Sequence, residues 1–156
     1  MESGLLHLHN LLRWIILILL VWNIIRHVTS RRELFGRKDV SLGKWLLYSA
    51  HLMLLIGLIQ YFTRDNGFKL FQTYGSEVMS NSVYRYWAVE HITGMIIAVI
   101  LITIAYGTRK KSIMTDQRKH KRALTYYVIA LLIILVNMPW PFRMNGIARG
   151  LFPGME

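Results

Sequence analysis

The chain has no cysteine among its 156 residues. Disulfides, thiolate metal sites and covalent attachment of a cofactor through a C-x-x-C-H sequence are therefore excluded. Acidic residues are scarce: eight Asp and Glu stand against nineteen Lys and Arg, a formal net charge of +11. There is no internal repeat, no low-complexity stretch and no self-contained soluble catalytic domain. The start, MESGLLHLHN, lacks the Lys or Arg of a signal peptide, and no small-residue cleavage site follows its apolar run. Yet 54% of the residues are hydrophobic. A basic chain this apolar does not suit a soluble globule; it suits membrane helices joined by basic loops. Nucleic-acid binding is disfavoured, because the charges avoid the apolar runs and cluster between them.

Four runs are long enough to cross a bilayer, which takes about 20 apolar residues. They cover about 5–28, 44–62, 86–107 and 123–138 within a single membrane domain, 1–156. Pro139 and Pro141 stop the fourth, since proline lacks an amide donor and clashes with the preceding turn. The expected fold is all-α: an integral-membrane, up-down-up-down four-helix bundle. The segments Arg26–Lys44 and Thr108–Arg122 carry thirteen Lys and Arg, against five in Thr63–Arg85 and the C-terminal tail. By the positive-inside rule the first and third loops are cytoplasmic and both termini lie outside. In the second loop, FKLFQTYGSEVMSNS reads either as an irregular loop or as a short interfacial helix with Phe68, Leu70, Phe71 and Tyr74 toward lipid.

The polar residues within the runs carry the functional signal, because ionisable groups at membrane depth are costly. On the first helix His9, Arg13, Ile16, Leu20, Asn23 and His27 follow steps of four and three and line one face. That face is expected to look into the bundle. Arg13 needs an anion: either Glu90, the one carboxylate in the predicted spans, or a carboxylate on a cofactor. On the second helix Tyr48, His51, Leu55, Leu58 and Phe62 share a face. On the third, Trp87, His91, Gly94, Ala98, Ile102 and Ala105 do. Gly94 and Ala98 serve either close helix packing or space for a flat macrocycle beside His91. The fourth helix presents Tyr126, Ala130, Ile133 and Asn137. His120, in the basic stretch QRKHKR, reads as a solvated surface residue.

Three histidines on three membrane helices call for an explanation beyond packing. Non-covalent haem b supplies one, with its iron between two neutral imidazoles that add no charge to the interior. His91 is the first candidate ligand. His9 is its mate by depth, His51 the alternative, and Arg13 would receive a propionate. A compact tetrahedral metal site on His9, His51 and His91 fits less well, because His51 lies several ångströms deeper than the other two.

The segments HLHNLLRW (His7–Trp14), AHLMLLIGLIQYF (Ala50–Phe62), VEHITGMIIAVILITIAYG (Val89–Gly107), HKRALTYY (His120–Tyr127) and MPWPF (Met138–Phe142) resemble a family of small four-helix membrane proteins of Bacteroidetes labelled "cytochrome b". The resemblance runs from about Leu5 to Phe142. It implies haem b and electron transfer, and its motif residues here are His9, Arg13, His51, Glu90, His91 and His120. The arrangement is loosely similar to cytochrome b561-type bundles, but lacks a deep histidine on the fourth helix, which argues against a two-haem relay. The expected function is electron transfer in the bacterial inner membrane, with a quinone or a redox partner protein. The alternatives are a non-redox membrane protein, an assembly subunit or proton-conducting bundle, and transition-metal handling.

Overall fold

The computed structural model describes residues 2–152, and side chains from Gly4 onward. The described residues form helices and connecting turns only. α1 is Glu2–Thr29, α2 Arg37–Thr63, α3 Lys69–Tyr74, α4 Glu77–Ser80 and α5 Ser82–Arg85. A π-helical turn, Tyr86–Glu90, runs into α6, His91–Gly107, and a 3-10 turn, Thr108–Lys110, follows. α7 is Asp116–Asn137. Four segments are long and apolar enough to cross a membrane: Gly4–Thr29, Arg37–Thr63, Ser82–Lys110 and Asp116–Asn137.

α2 and α7 each begin about two turns before their apolar runs. Both starts are capped by polar groups that an apolar pattern does not register. The Gly36 amide donates to Asp39 Oδ2 at 2.9 Å ahead of α2, and Thr115 Oγ1 accepts from the Arg118 amide at the start of α7. Such bonds satisfy amides that have no partner in the first turn. Much of the second loop is helical, in α3 and α4; Leu70 in α3 is buried, while Phe68 and Tyr74 are exposed.

α1 packs on α2 and α7, and α6 packs on the same two. The helices thus form a four-membered ring with α1 and α6 on opposite corners. The core runs along the axis through Leu20, Leu46, Ala98, Ile102, Tyr127 and Ala130. Large apolar side chains such as Ile18, Trp22, Leu55, Ile100 and Val136 point outward, as a membrane-facing surface requires.

The inward face of α1 is the expected one: Arg13, Ile16, Leu20, Asn23 and His27 are all buried. α2 is turned relative to expectation. Tyr48, His51, Leu55 and Phe62 face outward. Its inner side instead carries a small residue every seventh position, Gly43, Ala50 and Gly57. A Cβ on Gly43 would stand 3.1 Å from the Tyr106 ring and from the Tyr127 hydroxyl, so the small residue sets how closely α2 approaches α6 and α7.

Candidate functional site in the terminal half of the bundle

An apolar cavity of about 150 Å³ opens between the helices at the end that carries the termini. Ile16, Ala50, Ala98, Ile102 and Ile134 form its deep walls. His9, Gly57, His91 and Met95 lie further out, and Arg13, Arg64 and Arg149 also line it. Arg13 and Arg64 bring guanidiniums to that end, and no carboxylate lines the cavity among the described residues, so it favours an anionic group there.

His91 is held by the end of α7. Asn137 and Leu135 would normally give their carbonyls to the amides of Pro141 and Pro139, which have none. The Leu135 carbonyl takes the Trp140 indole N–H at 2.8 Å instead. The Asn137 carbonyl takes two donors: the Tyr86 hydroxyl at 2.7 Å and His91 Nδ1 at 2.9 Å. A carbonyl only accepts, so Nδ1 carries the proton and Nε2 of the neutral ring keeps its lone pair. A metal-ligating histidine is fixed in this way, by its other nitrogen.

The π-helical turn lies directly before His91. Its wider winding places Arg85 and Glu90 side by side, joined at 2.7 Å. Turns of this kind often accompany functional sites. The Ala88 carbonyl within the turn accepts from the Tyr61 hydroxyl at 3.0 Å, which ties it to α2.

His9 faces the cavity from α1. Its Nδ1 is buried without a hydrogen-bond partner. Gly57 leaves room beside the ring: a Cβ there would come within 3.4 Å of His9 Cε1. His91 lies on the helix diagonally opposite, so the structure brings His9, Arg13 and His91 to one cavity.

Of the two anions considered for Arg13, Glu90 does not pair with it. Glu90 is exposed and bound to Arg85, because the π turn carries it away from the interior. Arg13 Nη2 donates to the carbonyls of Gly150 and Leu151, at 3.3 and 2.9 Å. The Trp14 indole also donates to Leu151, at 2.8 Å, and Trp14 stacks on Phe152. The C-terminal tail thus folds back over the end of α1.

His51 does not join the cavity. It is exposed on the outer side of α2, and its Nδ1 donates to the Leu47 carbonyl one turn back, at 2.8 Å. Gly94 serves packing: a Cβ would strike the Asn137 side chain at 2.5 Å. Ala98 lines the cavity. The reading of His120 as a surface residue is overturned, for it is fully buried against His27 at the opposite end of the bundle. The surrounding lysines and arginines conceal its place on the buried stripe His120, Ala123, Tyr127, Ala130 and Ile134, whose steps of three and four were legible in the sequence.

No protein-family model, curated protein or solved structure matches the chain.

Proposed function

We propose that this is a haem-b-binding protein of the bacterial inner membrane that exchanges electrons with a quinone or a redox partner protein. The observation that carries this reading is the His91–Asn137 hydrogen bond. It presents an imidazole with one nitrogen anchored and the other available, facing a cavity shared with an unsatisfied His9. The donor set fits the group: two imidazoles, no added charge in the interior, and guanidiniums at one end for propionates. The room is tighter, since a cavity of about 150 Å³ takes a benzene-sized ring. Met53, Met95 and Met138 line it, and their unbranched thioether chains can yield where branched side chains would not.

In this reading His91 and His9 hold the iron and Arg13 is the propionate partner. Haem supplies one-electron chemistry, and the chain supplies orientation and a dry surrounding. The Asn137 carbonyl holds the His91 ring in one tautomer, and Ile102 and Ile134 close the deep side against water. The distribution of basic residues supports cytoplasmic first and third loops and external termini. Reporter fusions to the first loop and the C-terminus test that orientation. Expression with haem supplied, followed by a reduced-minus-oxidised spectrum of the purified protein, tests the function. A Soret band at about one haem per chain is expected, and folded protein without one refutes the reading.

A further inference from the structure

A second constellation lies at the other end of the bundle, where three helix ends meet. His27 is in the last turn of α1, Asp39 in the first turn of α2 and His120 near the start of α7. All three are buried, at 1%, 3% and 0% exposure. One ring nitrogen from each histidine and one oxygen of Asp39 lie within 4.8 Å of one another.

The histidines meet Nδ1 to Nδ1 at 2.9 Å. Two N–H groups do not point at each other across that distance, so one proton lies between them and at least one Nδ1 presents a lone pair. His120 Nε2 is also buried and has no partner. Buried polar atoms rarely stay unsatisfied without a reason. Tying helices together accounts for the Arg26–Asp39 ion pair, but not for two facing imidazoles with a nitrogen left over.

Asp39 is oriented as a ligating carboxylate would be. Its Oδ1 accepts from Arg26 Nε and its Oδ2 from the Gly36 amide, each at 2.9 Å. Each oxygen retains a second lone-pair direction, and outer partners of this kind fix a ligand's orientation. Phe35 and Tyr127 both stack on the His27 ring, each at 5.7 Å between ring centres, and restrict that ring's plane.

We propose that His27, His120 and Asp39 bind one divalent first-row transition-metal ion of the zinc class, clamping the ends of α1, α2 and α7. Imidazole with a single carboxylate suits zinc, cobalt or nickel, whereas calcium and magnesium require more oxygen ligands. The ion takes the place of the shared proton. Both Nδ1 lone pairs turn to the metal, and the proton of the donor ring moves to that ring's Nε2, so the histidine pair releases none. Zinc–nitrogen bonds of about 2.0–2.1 Å set tetrahedral nitrogens roughly 3.3 Å apart, so the rings separate by only a few tenths of an ångström. Three protein ligands leave a fourth position for water. The site does not depend on the haem reading, since it shares no residue with the cavity around His91.

The test is titration of the full chain, purified in detergent and stripped with EDTA, with Co2+ followed by Zn2+ competition. One Co2+ per chain is expected, with visible absorption of a tetrahedral site and a rise in melting temperature that chelator reverses. His27→Gln and His120→Gln should weaken binding at least tenfold and abolish that rise, while His9→Ala and His91→Ala leave both unchanged. Wild-type affinity in the two glutamine variants would overturn the assignment. So would loss of binding in His9→Ala but not in His120→Gln, or a wild type with no saturable binding. If the glutamine variants fail to fold, X-ray absorption of the zinc-loaded wild type decides. Two imidazoles with oxygen ligands support the site, and any other donor set overturns it.

Discussion

His91 hangs from the backbone carbonyl of Asn137, at 2.9 Å, because Pro141 has no amide to offer that carbonyl. The Tyr86 hydroxyl shares the same oxygen at 2.7 Å. Tyr86→Phe should therefore lower stability by about 0.5–1.5 kcal/mol, the usual net value of one hydrogen bond, while His91 keeps its partner. Thermal unfolding in detergent measures the loss. Pro141→Ala restores an amide that competes for Asn137, and should loosen His91 and weaken any cofactor it holds. Unchanged cofactor retention in that variant would separate the helix end from the site.

Gly94 lets α6 approach α7. A methyl group there would meet Asn137 side-chain atoms at 2.5–2.7 Å. Gly94→Ala should cost about 1–3 kcal/mol, as overpacking of a tight contact does. A melting temperature equal to wild type would show that the two helices are not in close contact at this level.

Much of this was legible in the sequence, but not all of it, and the reasons are physical. Arg13 and Asn23, the polar residues in the middle of α1, lie on one face, so its inward side follows from the cost of exposing them to lipid. α2 is apolar nearly all round, and hydrophobicity cannot orient such a helix. The informative signal was the small residues Gly43, Ala50 and Gly57, not His51. Glu90 was one of two candidate anions for Arg13, as the one carboxylate in the predicted spans, whereas Arg85, five residues away, is brought to it by a π turn that no apolar pattern records. The prolines marked where α7 stops. They also marked which carbonyls would be orphaned, Leu135 and Asn137, and hence where donors had to come from. His120 was hidden by its basic neighbours, of which Arg118 and Lys121 are exposed on a helix whose other side is buried.

Arg13 is 6% exposed and holds the tail through Gly150 and Leu151. Arg13→Gln should weaken that attachment by about 1.5–3 kcal/mol, the range for hydrogen bonds from charged groups. Faster amide exchange or proteolysis near Leu151 is the expected readout, and unchanged protection of the tail would contradict it.

Arg26 neutralises Asp39, whose side chain is fully buried. Removing one partner of a buried pair strands the other charge. Arg26→Ala should cost about 3–5 kcal/mol, and Arg26→Lys less. Glu33, which also pairs with Arg26 but is mostly exposed, should matter little when changed to Gln, by less than about 1 kcal/mol. A double-mutant cycle on thermal unfolding distinguishes the two partners.

We propose that His91 and His9, and not His51, hold a haem in the terminal half of the bundle. The most direct measurement is the reduced-minus-oxidised spectrum, with haem content, of wild type, His9→Ala, His51→Ala and His91→Ala. All four would be expressed with haem supplied and shown to be folded. Losing an axial ligand changes the electronic state of the iron or releases the haem. A wild-type spectrum is expected in His51→Ala, with loss of haem or conversion to high spin in His9→Ala and His91→Ala. An unchanged spectrum in His91→Ala, or loss confined to His51→Ala, would contradict it.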